Sequence, residues 1–225
     1  MAVFVLIHGG GSTAWDWHLV RPLLEASGHD VIAVDLPIED DNAGLEDYVR
    51  VVTAAVGDAQ RTIVVGHSLG GFTAPLVCDE LQADGLMYLA GMIPLPGETF
   101  GDWWTNTGYD RLTIDQDPQS AFFNDVPEDL VRQALDRERD QQGAWMARPW
   151  PGPRHPAVPT RALLCRDDRF FPPSFMRRQI QQRLGIEPLE IPGGHYATLS
   201  HPDAVAAALE DFAQEITQMR PSPDW

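Results

Sequence analysis

The chain has 225 residues, 44% of them apolar, which suits one domain with a sizeable core. Its 16 basic and 33 acidic residues leave a formal charge of −17 at pH 7. Such a field repels nucleic acid and anionic membrane, and the carboxylates are spread along the chain, so the acidity reads as a solubilising surface.

The opening stretch, M-A-V-F-V-L-I-H-G-G-G, lacks a basic leader and its apolar run is too short for a signal peptide. No run approaches the roughly 18 apolar residues of a membrane span, and a cytoplasmic location is expected. Val3–Ile7 predicts a strand, followed by a loop, H-G-G-G, at His8–Gly11. One glycine would serve a tight turn; three are more than it needs. Helical spacing then covers Trp15–Ala26, a strand Val31–Val34, and a second helix Leu45–Ala55.

Residues 62–71 read T-I-V-V-G-H-S-L-G-G. Ser68 leaves a β-branched strand, Thr62–Val65, directly before a helix over Leu69–Leu81, with Gly66 and Gly70 two positions to either side. A G-x-S-x-G sequence at a strand-to-helix junction is a nucleophile elbow, a sharp turn that lifts Ser Oγ above a sheet. Side chains at the two glycines would collide as the chain folds back, and the helix N-terminus behind Ser68 adds N–H donors and a positive dipole end. The five-residue match alone is modest; its setting makes it specific.

A fourth strand, Leu86–Leu89, is followed by residues 93–159, where no strand is evident and Phe100, Trp103, Trp104, Tyr109, Phe122, Phe123, Trp145 and Trp150 accumulate. One helix is expected there, from about Glu128 to Gln142. The region reads as a cap inserted after the fourth strand and laid over the carboxyl edge of the sheet. Arg161–Cys165 and Leu189–Ile191 predict the last two strands, and Pro173–Leu184 and Pro202–Met219 the last two helices; in the latter Val205, Leu209, Phe212 and Ile216 share one face. The end, P-S-P-D-W, reads as a loose tail. Strands alternating with helices predict a doubly wound, mostly parallel α/β sheet of about six strands, forming a single domain over 1–225. Ligands of such sheets bind at the carboxyl ends of the strands. Cys78, on a helix, and Cys165, at a strand end, are expected to be buried free thiols.

A serine hydroxyl needs a base, itself oriented by an acid, and in this arrangement the chain order is Ser, acid, His. His195, in I-P-G-G-H-Y-A after the last strand, is placed to reach Ser68. His8 and His67 lie in turns beside the site and read as structural, while His18, His29, His155 and His201 read as ordinary surface. The acid comes from R-D-D-R-F-F-P after the fifth strand: Asp168 rather than Asp167, which lies nearer the strand. Glu98 or Asp102, after the fourth strand, is the remote alternative. The backbone N–H of Leu69 is one expected oxyanion donor and that of Gly10, in H-G-G-G, the second. Gly9, His67, Trp103, Trp104, Phe122, Phe123, Trp145 and Tyr196 are the expected substrate contacts. Zinc-type histidine spacing and a G-x-G-x-x-G after a strand are lacking, so neither metal nor organic cofactor is expected.

On F-V-L-I-H-G-G-G-S-T-A-W-D-W, P-L-L-E-A-S-G-H-D-V-I-A-V-D-L, V-G-H-S-L-G-G and Y-L-A-G-M-I-P, the chain resembles the α/β-hydrolase family, in the branch of plant-type methylesterases and hydroxynitrile lyases. The similarity covers roughly residues 3–100 and 160–210. It implies a six-stranded core starting at the family's third strand, a triad of Ser68, Asp168 and His195, and oxyanion donors at Gly10 and Leu69. Two departures speak against cyanide chemistry: Gly9 stands where the lyases carry threonine, and Tyr196 where they carry lysine. The expected activity is hydrolysis of a small, largely apolar ester or lactone. The alternatives are thioester, amide or carbon–carbon hydrolysis by the same groups, or a ligand sensor that retains the triad. The expected partner is a small-molecule ester, with no nucleic acid and no membrane; the sequence leaves the oligomeric state open.

Overall fold

The computed structural model describes residues 1–109 and 117–219; the tail expected at Pro221–Trp225 lies outside the described residues. Six strands, β1 (Val3–Ile7), β2 (Asp30–Ala33), β3 (Thr62–His67), β4 (Gly85–Leu89), β5 (Thr160–Cys165) and β6 (Leu189–Ile191), form one sheet in the order β2-β1-β3-β4-β5-β6. Every pairing is parallel, with Ile7 opposite Gly66 and His67 opposite Leu89. The expected sheet is therefore present, and fully parallel rather than mostly so.

Successive side chains of a strand point to opposite faces, and the sheet is buried on both. Val5, Ile7, Val64, Leu86, Tyr88 and Leu164 face a core shared with α2 (Leu45–Val56), α3 (Ala74–Leu81) and α7 (Pro173–Leu184). Their strand neighbours Phe4, Leu6, Ile63, Val65, Met87 and Leu163 face α1 (Arg21–Ala26) and α9 (Pro202–Met219), where the stripe Val205, Leu209, Phe212 and Ile216 is buried. Between β4 and β5 lie α4 (Phe100–Asn106), α5 (Pro118–Phe122) and α6 (Glu128–Leu135); a single turn, α8 (Ala197–Ser200), precedes α9.

Three expected helices are shorter than the sequence pattern suggests. The first splits into a 3-10 turn, Ala14–Trp17, and α1, because Pro22 cannot donate to a preceding turn and starts a new helix instead. The helix behind Ser68 likewise opens as a 3-10 turn, Ser68–Phe72, before α3, which has Pro75 in its first turn. The helix expected over Glu128–Gln142 stops at Leu135. Beyond it the backbone bonds elsewhere: Arg139 N–H donates to Gly11 O at 2.9 Å and Gln142 N–H to Ile38 O at 2.7 Å. Arg139 also donates to Ser12 O and Leu36 O, each at 3.0 Å, tying this segment to the loops after β1 and β2.

Candidate active site

The carboxyl ends of β1, β3, β5 and β6 converge on Ser68. At the end of β3 its backbone turns into the left-handed region, φ 50°, a conformation that typically costs a non-glycine residue about 1–3 kcal/mol. Met92 N–H donates to Ser68 O at 2.9 Å and secures the turn. The flanking glycines permit the close approach. A Cβ on Gly66 would lie 2.7 Å from Ala74 Cβ, and one on Gly70 would lie 2.6 Å from His8 O. Gly66 thus admits the returning helix, while Gly70 packs against the neighbouring strand end, a contact the motif alone does not disclose.

His195 follows β6. Its Nε2 lies 2.9 Å from Ser68 Oγ and its Nδ1 2.9 Å from Asp168 Oδ2, with the His195 and Asp168 side chains each 1% exposed. Asp168 Oδ1 accepts from the N–H groups of Phe170 and Phe171, both at 2.8 Å. A carboxylate held on both oxygens fixes the imidazole: Nδ1 donates to Asp168, leaving Nε2 to accept from Ser68. Asp167 turns outward, paired with Arg166 and accepting from Gly193 N–H at 3.3 Å. Glu98 is held by Arg183 at 2.6 and 2.9 Å, and Asp102 caps α4 through Thr99, so neither faces His195.

The two turn histidines are buried and neutral. His8 donates from Nδ1 to Gly9 O at 2.7 Å and accepts Leu36 N–H on Nε2 at 3.0 Å. Burial lowers its pKa to about 4. His67, expected against substrate, instead lies beneath the His195 loop and donates from Nε2 to His195 O at 2.9 Å. Burial, then the neighbouring His195, lowers its pKa to about 3. His29 and His155 are not plain surface: His29 contacts Glu210 at 3.0 Å and His155 the buried Tyr88 hydroxyl at 3.0 Å.

Gly9 and Gly10 border the turn: a Cβ on Gly9 would lie 3.1 Å from Ser68 Cβ, and one on Gly10 3.0 Å from Leu69 Cδ2. Leu69 sits in the first turn of a helix, where backbone N–H groups lack helical acceptors.

Of the aromatic side chains singled out, Phe122 and Tyr196 reach the site, with ring centroids 5.3 and 5.9 Å from that of His195. Phe123 stacks on Tyr196 at 4.6 Å. Trp104 stands one layer back, against Phe170 and Phe171. Trp145 packs on Tyr48, Phe72 and Phe100 and borders Gly9 and Leu69. Trp103 lies in the core: it is 1% exposed, donates to Ile93 O at 3.1 Å, and packs on Phe171 and Phe175. Trp150 is likewise buried, donating to Phe72 O at 2.9 Å. Sequence reasoning missed Phe170 and Phe171, whose rings lie 5.1 and 5.3 Å from His195. The signal that could have found them is R-F-F, directly after the acid. Among the described residues no group of three or more His, Cys, Asp or Glu side chains is placed to hold a metal ion, and no helix is long and apolar enough to cross a membrane.

A strand-to-helix turn carrying Ser68, a two-step hydrogen-bonded relay and an all-parallel sheet define an α/β-hydrolase architecture. A sequence profile described as the alpha/beta hydrolase family matches residues 4–208, and the chain belongs to that family. It is 25% identical to norfluorocurarine synthase 1 of a Strychnos species, over 95% of this chain and 96% of that one. Salicylic acid-binding protein 2 of Nicotiana tabacum is 27% identical, over 94% and 97%. The crystal structure of polyneuridine aldehyde esterase, a protein of Rauvolfia serpentina, matches with a TM-score of 0.78 at 22% identity, covering 95% and 99% of the two chains. All three are plant proteins, as the motif resemblance implied. Their names describe a synthase, a binding protein and an esterase, so membership settles the fold and leaves the reaction to be argued.

Proposed function

We propose that this protein is a serine hydrolase of small, largely apolar carboxylic esters or lactones. The observation that carries the reading is the relay Ser68–His195–Asp168, both links 2.9 Å, with the second carboxylate oxygen held by two backbone N–H groups. Ser68 Oγ attacks the acyl carbon while His195 Nε2 takes its proton. The N–H groups of Gly10 and Leu69 receive the charge on the carbonyl oxygen. Collapse expels the alcohol, which takes the proton from His195, and leaves an acyl-enzyme. Water then attacks, giving a proton to the same nitrogen, and release of the acid returns Ser68 to its starting state. Asp168 stabilises the imidazolium in both halves, and His67 positions the His195 backbone.

Residues 93–159 serve as the cap over this site, with Phe122 its contact to His195. Phe122, Phe170 and Phe171 suit an apolar group beside the acyl carbon. Cys78 and Cys165, both buried and free, suit a reducing compartment, and we assign the cytoplasm.

The test is turnover of p-nitrophenyl acetate, butyrate and hexanoate by the parent and by Ser68→Ala. Hydrolysis that rises with chain length and disappears in the variant is expected. Ester binding without turnover in the parent would favour the sensor reading; turnover that survives Ser68→Ala would reject the nucleophile.

A further inference from the structure

A recess lies beside the loop after β1, which contributes Gly10, Gly11, Ser12 and Thr13 to its lining. It holds about 90 Å³, several times the roughly 10–15 Å³ that one water requires. Gly10, beside Leu69, and Phe122, whose ring lies 5.3 Å from that of His195, are among the residues that line it, so the recess adjoins the candidate site. Its floor is polar although it lies within the protein. Asp16 and Ser12 are only 4% and 6% exposed. The Ser12 hydroxyl donates to Asp16 Oδ2, and Tyr196 lines the recess beside this pair. All three residues line the recess together with Phe122 and Phe123, the latter stacked on Tyr196.

Nothing in the relay chemistry uses this cluster, and burying a carboxyl is unfavourable unless something compensates. Burial, the largest influence, together with the nearby Asp35 carboxylate, raises the Asp16 pKa to about 7, against the lowering effect of Ser12. Around neutrality the cluster can therefore both donate and accept. A hydroxyl group is the partner that does the same.

We infer that Ser12, Asp16 and Tyr196 form a polar subsite that recognises a hydroxyl group carried by the ester. The preferred substrates are hydroxylated esters whose remaining surface is apolar, with the hydroxyl bound past Gly10 and the hydrocarbon against Phe122 and Phe123. Arg137 and Glu138 line the same recess and set no requirement for charge on the substrate, being of opposite sign.

This inference rests on the ester-hydrolase reading, so the experiment separates the two. The kcat/KM values of methyl butyrate and methyl 3-hydroxybutyrate, and of methyl phenylacetate and methyl mandelate, are measured for the parent, Ser12→Ala and Tyr196→Phe. One hydrogen bond gained corresponds to about threefold to tenfold, so that preference for the hydroxylated member is expected in at least one pair. Both variants should bring the ratio toward one. The ratio is internal to each preparation, so partial unfolding of a variant does not distort it. Turnover without preference in either pair, or a preference unchanged in both variants, overturns the subsite and leaves the hydrolase reading intact. Absence of turnover with all four esters overturns the subsite as well; the hydrolase reading then stands or falls on whether Ser68 reacts with a fluorophosphonate.

Discussion

The sheet edge that carries Ser68, Asp168 and His195 and the excursion between β4 and β5 are built on different physics. At the sheet edge, position comes from directional bonds: a strand register, a left-handed turn at Ser68, and a carboxylate with a partner on each oxygen. In the excursion hydrogen bonds pin a few points, such as Trp103 and Arg139, while most of the rest is positioned by apolar rings packed in series, such as Phe122 on Phe170 at 4.2 Å and Trp103 on Trp104 at 4.9 Å. Directional bonds fix where a group must be; ring packing fixes only what fills the space. Under the proposed hydrolase reading the first region carries the chemistry, and the second can change what is admitted without disturbing the first.

The sharpest way to break this contrast is to exchange neighbouring aspartates. Asp168→Asn should lower kcat by about 10⁴, since the substituted amide cannot hold the imidazole tautomer. Asp167→Asn keeps an oxygen that can accept from Gly193 N–H, loses only the exposed pairing with Arg166, and should cost no more than about tenfold. Steady-state kinetics on a p-nitrophenyl ester reads both, and equal losses would erase the distinction between the two carboxylates.

The contrast within the excursion is next in size. Trp103→Ala removes a fully buried indole and should lower stability by about 3–5 kcal/mol in chemical denaturation. Phe122→Ala, at a half-buried ring beside His195, should cost less stability and shift the ester chain-length optimum upward. A profile shift in the tryptophan variant and none in the phenylalanine variant would reverse their places.

Asp16 gives an effect of similar scale with a defined sign. The folded protein keeps its proton up to about pH 7, whereas the unfolded chain releases it near 3.8. The native state is therefore the greater proton binder over that window, and stability falls as pH rises through it. Asp16→Asn does not titrate and keeps an oxygen for Ser12, so its stability relative to the parent should increase by on the order of 4 kcal/mol between pH 4 and pH 8. Groups common to both proteins cancel in the difference. A pH-independent difference would mean that Asp16 is solvated.

His67 should have a smaller effect than Asp168. His67→Asn removes the donor to His195 O, and a displacement of the catalytic imidazole on the ångström scale can cost about 10² in rate. The loss should fall on kcat with KM little changed. A KM effect alone would return His67 to the substrate wall.

Much of the sheet-edge region was legible in the sequence because its requirements are local. Thr62–Val65 could be read as a strand, Gly66 and Gly70 as the elbow, and the order of Ser68, the aspartate pair and His195 as a relay. Val3–Ile7, Pro173–Leu184 and Pro202–Met219 have the predicted bounds for the same reason: a continuous apolar run closed by glycines marks the strand, and apolar periods behind an opening proline mark the two helices. The excursion was legible only as composition. Whether Trp103 faces inward or outward depends on Phe171 and Phe175, far along the chain. The early end of α6 depends on Gly11 and Ile38 capturing the N–H groups of Arg139 and Gln142. Asp16 escaped notice because its significance arises from burial, which the surrounding A-W-D-W does not announce.

In the proposed mechanism Ser68 is the covalent nucleophile at the head of this relay. Intact-protein mass spectrometry after treatment with a fluorophosphonate tests it most directly. One adduct is expected, located at Ser68 by peptide mapping, absent from Ser68→Ala and slowed strongly in His195→Ala. An ester-hydrolysing protein that remains unlabelled, or a Ser68→Ala variant that still takes the label, would contradict the claim.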